Sequence, residues 1–153
     1  MSIPISLATI SKMIDHSLLM PTMTQQVLED GCQLALAYDV ASICIMPYYL
    51  RRCAEILAGS TVQPSTTIGF PHGGHTTAIQ RAQSLQAIED GCQELDMVVN
   101  ISQVLSGNWG YVTDDIAAVI EVAHAAGRKV KVIFENCYLN DDQKKKLCHI
   151  CTD

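Results

Sequence analysis

The stretch Glu94-Leu95-Asp96-Met97-Val98-Val99-Asn100, with its later counterpart Lys129-Val130-Lys131-Val132-Ile133-Phe134-Glu135, decides the fold. In both, side chains of unlike character alternate at period two, as on a strand with two different faces. Leu95, Met97 and Val99 share one face, opposite Glu94, Asp96, Val98 and Asn100. Val130, Val132 and Phe134 share another, opposite Lys129, Lys131, Ile133 and Glu135. Asp96 and Lys131 therefore sit mid-strand between apolar neighbours, where a charge is costly unless it is paired or hydrogen-bonded. Adjacent parallel strands would bring the two together.

The same two-faced pattern extends toward the N-terminus. Residues 14–18 read as a first strand with Asp15 and Ser17 on one face and His16 pointing away. Residues 41–45 read as a second, with Ile43 and Ile45 opposite Ser42, Cys44 and Met46. A third covers 66–70 and is closed by Pro71. Helix-like segments alternate with these strands. Thr24 is an expected N-cap for a helix running to about Tyr38. Another helix follows Pro47 to about Ala58. Helices over 76–90 and 111–126 end at Gly91 and Gly127, the residue type favoured just past a helix C-terminus. Asn140, Asp141, Asp142 and Gln143 read as an N-cap, an acidic first turn and a capping-box partner. A short amphipathic segment over 7–13 precedes the first strand.

The order βαβαβαβαβα demands parallel pairing with right-handed crossovers. An open doubly wound sheet and a TIM barrel both fit that order. A doubly wound sheet is covered on both faces and calls for near-continuous apolar strands. A barrel turns one face of every strand toward a common centre, where polar groups can gather. The alternation favours the barrel. No Gly-Pro-Ser linker, repeat or low-complexity tract marks an internal boundary, so 1–153 is read as a single partial (β/α) barrel domain.

Composition sets limits on function. The chain has 153 residues, 48% hydrophobic and 17% charged, with a net charge of −6. Ten Lys plus Arg against sixteen Asp plus Glu provide no basic footprint for nucleic acid or an anionic membrane. No apolar run approaches the roughly 20 residues of a membrane span. The start, Met1-Ser2-Ile3-Pro4, lacks the basic and apolar regions of a signal peptide, so a cytoplasmic address is expected. Seven cysteines are an odd count, and only Cys148 and Cys151 form a C-x-x-C pair. They read as reduced thiols used as small apolar side chains, since a structural zinc site wants four ligands.

With the strands placed, five stretches carry a family resemblance. Ile14-Asp15-His16-Ser17-Leu18-Leu19, Ala41-Ser42-Ile43-Cys44-Ile45, Ile68-Gly69-Phe70-Pro71-His72-Gly73, Glu94 to Asn100, and Lys131-Val132-Ile133-Phe134-Glu135 resemble deoxyribose-phosphate aldolase. They occur in that family's order and spacing, one per strand, from about residue 10 onward. The resemblance implies a TIM (β/α)8 barrel, here truncated after about five βα units. It implies reversible cleavage of 2-deoxy-D-ribose 5-phosphate into glyceraldehyde 3-phosphate and acetaldehyde, through a lysine Schiff base and without metal or other cofactor. It makes Asp96 the catalytic proton donor and acceptor. It places Asp15, Ser17, Cys44 and Lys131 along the substrate channel.

That family's Schiff-base lysine lies on the sixth strand in a Lys-Thr-Ser-Thr-Gly-like motif, which these 153 residues do not contain. The chain as given is thus expected to be inactive alone. Lys131 is an unsuitable substitute, because a neighbouring Asp96 would favour its charged form. Met46 departs from the family pattern, where a more polar residue is expected. The Gly69–His75 segment resembles a phosphate cradle but lacks a Walker lysine. His72 and His75 lack a third ligand, and Lys144-Lys145-Lys146 reads as a solvated face. A barrel of five strands would expose edges at its first and fifth, inviting self-association. Two other readings stay open beside the enzyme. One is a non-catalytic short form that binds sugar phosphate or pairs with a full-length partner, and the other is a folding fragment without a role.

Overall fold

A computed structural model describes residues 6–152. The sequence signals nearest to helix starts act as expected. The Thr24 side chain accepts the Val27 amide and opens α2, Gln25–Tyr38, which follows the short α1, Leu7–Ser11. Asn140 opens α7, Asp141–Ile150, through a complete capping box with Gln143. Between them lie α3 (Leu50–Ile56), α4 (Thr77–Glu89), α5 (Ile101–Leu105) and α6 (Trp109–Ala125). Among the described residues no helix is long and apolar enough to cross a membrane.

Five strands alternate with these helices: β1 (Asp15–Leu18), β2 (Ser42–Ile45), β3 (Gln63–Ile68), β4 (Glu94–Val98) and β5 (Lys129–Ile133). All neighbours pair in parallel, and their spatial order is the chain order, β1-β2-β3-β4-β5. A doubly wound sheet reverses its strand order at a switch point. The unreversed order is that of a barrel wall.

The outward face carries the apolar half of the alternation. Ile43, Ile45, Leu95 and Met97 are fully buried in one cluster with Leu28, Cys32, Cys53, Ile116 and Val119 from the helices. Val130, Val132 and Phe134 pack against its rim. This layer, between sheet and helices, is the core that hydrophobic burial stabilises. The inward face collects the polar half.

The sheet is strongly curved. Four strand spacings would hold β1 and β5 roughly 19 Å apart on a flat sheet, a gap that a lysine and an aspartate together do not span. Lys131 Nζ on β5 nevertheless lies 2.5 Å from Asp15 Oδ2 on β1. The five parallel strands with their alternating helices form an α/β barrel wall.

Three elements depart from the expected pattern. β3 begins at Gln63 rather than Thr66 because Pro64, although it cannot donate to the ladder, still accepts through its carbonyl from the Gln93 amide at 2.8 Å. The expected loop after β4 contains α5, capped by the Asn100 side chain on the Gln103 amide. The helix expected after Pro47 begins as a 3-10 turn, Pro47–Tyr49, before α3.

Candidate active site

The concave face of the sheet brings together groups distant in sequence. Register pairs Asp96 with Thr67 on one side and Lys131 on the other, so the two mid-strand charges stand side by side. Lys131 Nζ lies 3.2 Å from Asp96 Oδ1 and 3.2 Å from Glu94 Oε1, in addition to its contact with Asp15. One ammonium is thus surrounded by three carboxylates. Hydroxyls complete the cluster: Ser42 Oγ donates to Asp15 Oδ1 at 2.6 Å, and Ser65 Oγ donates to Asp96 Oδ2 at 2.9 Å.

Asp96 is only 2% exposed, whereas Lys131 is 39% exposed at the open side. The Oδ1 atom of Asp96 accepts no hydrogen bond, so the lysine serves it as a nearby charge rather than as an aligned donor. That arrangement leaves a buried carboxylate oxygen with unused acceptor capacity, the property a proton-transfer group needs.

The electrostatics settle which form Lys131 takes. Partial burial works against its charge, but the Asp15 hydrogen bond and the charge of Asp96 outweigh burial and raise its pKa well above the ordinary lysine value. Lys131 is held as an ammonium, the wrong form for attack on a carbonyl. For Asp15, burial pushes upward, and the Lys131 and Ser42 hydrogen bonds more than reverse it, holding the carboxyl below its ordinary value. Burial, reinforced by the negative charge of Asp96, raises the Cys44 thiol, which stays protonated.

Cys44 is buried on β2, between Ser17 of β1 and Ser65 of β3 in register. Ser17 faces the same side as Asp15 but takes no part in the hydrogen-bonded cluster among the described residues. His16 turns the other way, into the groove between α1 and α2. The cluster also contains three residues that were not singled out from sequence: Ser42, Ser65 and Glu94. For Ser42 and Glu94 the signal was parity, since they share the inward face of their strands with Cys44 and Asp96. Ser65 had none, because the third strand was expected to begin after it, at Thr66. Among the described residues no group of three or more His, Cys, Asp or Glu side chains is placed to hold a metal ion.

Beyond the C-terminal ends of β3, β4 and β5 lies a cleft of about 510 Å³. His72 and Gly74 from the loop after β3, Asn100 and Ser102 around the start of α5, and Tyr138 after β5 line it. Asn100 continues the inward parity of Asp96 along the same segment, so the cleft opens at the end of the barrel wall where barrel enzymes place their sites.

A parallel barrel wall with carboxylates and a lysine on its inner face, and a cleft at the C-terminal ends of its strands, defines a protein of the (β/α)-barrel class. A family model described as DeoC/LacD family aldolase matches residues 9–149, and the chain belongs to that family. It is 67% identical over 144 residues to a deoxyribose-phosphate aldolase of Rhodopirellula baltica, covering 94% of this chain and 60% of that protein. It is 40% identical to a deoxyribose-phosphate aldolase of Caldanaerobacter subterraneus, covering 95% and 63%. In structure it resembles a Coccidioides immitis protein with a TM-score of 0.89 and 30% identity, covering 95% of this chain and 56% of that one. The chain spans about 60% of the length of the curated relatives it matches.

Proposed function

We propose that the chain supplies five βα units of a deoxyribose-phosphate aldolase, and with them the proton-transfer half of its active site. The reaction is reversible aldol cleavage of 2-deoxy-D-ribose 5-phosphate to glyceraldehyde 3-phosphate and acetaldehyde. The observation that carries the reading is Asp96, buried and flanked by Ser65 and the Lys131 ammonium. In this role Asp96 shuttles the proton between substrate and solvent, with the Lys131 ammonium as its neighbouring positive charge. Asp15 and Ser42 hold Lys131 in place, and Cys44 and Ser17 line the adjoining channel wall.

The Schiff-base nucleophile is assigned to a lysine outside these 153 residues, because Lys131 is held protonated. The test is borohydride reduction in the presence of acetaldehyde, read by intact mass. The chain alone should stay unlabelled and show no turnover. A covalent adduct on Lys131 would overturn the assignment.

A second reading rests on the two sheet edges. Among the described residues β1 and β5 each have a single strand neighbour in the sheet, leaving backbone donors and acceptors free to pair. Self-association, or pairing with a full-length relative, is the corresponding behaviour. A cytoplasmic address fits the seven free thiols.

A further inference from the structure

The loop between β3 and α4 brings His72 and Gly74 to the cleft, and its anchoring is unusual. The Gly73 amide donates to the Gly69 carbonyl at 2.8 Å, folding the segment back on itself. Gly73 lies so close to β4 that a Cβ there would fall 2.1 Å from the Val99 carbonyl oxygen. The Gly69 amide donates to Gln83 Oε1 at 2.9 Å, and a Cβ on Gly69 would sit 3.0 Å from Gln80 Oε1. The loop therefore rests on two glutamines of α4 as well as on the end of β4.

Gln80 is itself held from the next helix. It is fully buried, and its Nε2 donates to Asp115 Oδ2 of α6 at 2.9 Å and reaches the His75 carbonyl at 3.5 Å. Thr77, the first residue of α4, donates to Asp115 Oδ1 at 2.6 Å. Asp115 is 1% exposed and has no cation among these partners. A buried carboxylate without a cation is an expensive way to join two helices. The same two helices are already tied by Arg81, which donates to the Ala118 carbonyl and pairs with Glu121.

We propose that Asp115 is a positioning residue for the cleft: through Gln80 and Thr77 it fixes the Gly69–Thr76 loop, and so the placement of His72 and Gly74. Asp115 selects the amide orientation of Gln80, putting Nε2 toward α6 and the His75 carbonyl and leaving Oε1 against Gly69. The role belongs to the scaffold of this site and does not depend on the reaction proposed above.

Hydrogen exchange resolved by peptide tests it on the 153-residue chain, comparing the wild type with Asp115→Asn. The asparagine keeps the Thr77 bond and sets a donor against Gln80 Nε2. Amides of residues 69–76 should exchange at least about tenfold faster, with β4 and the C-terminal half of α6 within about twofold of wild type. Loop protection equal to wild type in the folded variant would overturn the proposal. So would equal acceleration of the loop, β4 and α6, which would make Asp115 a general helix tie. Thr77→Val, which removes one donor at constant shape, decides the matter if Asp115→Asn does not fold. It should accelerate the loop alone by about threefold, and an unchanged loop would refute the role.

Discussion

Asp96 and Lys131 are register partners on adjacent strands, 3.2 Å apart, and no aligned hydrogen bond joins them. The lysine's shortest contact is instead with Asp15 on β1, four positions along the sheet from its own strand β5. Lys131 thus neutralises the centre of the barrel wall as a whole, and its removal tests that role directly.

Lys131→Met should leave Asp15, Glu94 and Asp96 facing one another without a cation. Because the lysine is partly exposed, the cost is put at about 1–3 kcal/mol at neutral pH, below that of a fully buried pair. Urea denaturation at pH 7 and again at pH 5 measures it. The deficit should shrink at the lower pH, and a deficit that grows would contradict the arrangement.

Stability should form a plateau bounded on both sides. The folded-state pKa of Asp15 lies below its ordinary 3.8, so its contribution is present above that value and is lost as pH falls through the folded pKa. The folded-state pKa of Lys131 lies above its ordinary 10.5, so its contribution is complete below that value and disappears as pH rises through the folded one. Melting midpoints across the acid and alkaline limbs should fall at both ends, and Lys131→Met should flatten the alkaline limb.

Ser65→Ala deletes the one hydrogen bond given to Asp96 Oδ2 among the described residues. Leaving a buried carboxylate oxygen without its donor should cost about 1–3 kcal/mol. In a complete enzyme carrying these residues, the proposed proton-transfer role of Asp96 predicts that the same change lowers kcat more than it raises KM, since Ser65 would then orient Asp96 rather than the substrate. Steady-state kinetics with 2-deoxyribose 5-phosphate would show the split.

Gly73→Ala should be destabilising by about 2 kcal/mol or more, because the residue adopts a φ of 63° and its new methyl would meet the Val99 carbonyl. Gly74→Ala is the control, since a Cβ there meets nothing within 4 Å. Equal thermal stability for the two variants would refute the close approach of loop and strand.

Much of this arrangement was legible in the sequence where the governing forces are local. Thr24 and Asn140 announce helix starts because their side chains satisfy amides three residues away. Asp96 and Lys131 announce an inner face because period-two alternation fixes which side a strand residue occupies. Ser65 escaped notice because Pro64 argues against a strand beginning so early, and tertiary pairing overrode that preference. α5 escaped because Asn100 both continues the β4 pattern and caps the next helix. The contact between Lys131 and Asp15 had no local signal at all, since it depends on curvature summed over five strands.

The unreversed strand order carries a kinetic consequence. Each strand pairs with the one made just before it, so a chain leaving the ribosome can extend its sheet without waiting for distant sequence. The ion pair between the first strand and the fifth must await the arrival of the fifth. Such a late-forming contact adds little to the speed of folding and acts chiefly as a latch, slowing the escape from the finished state.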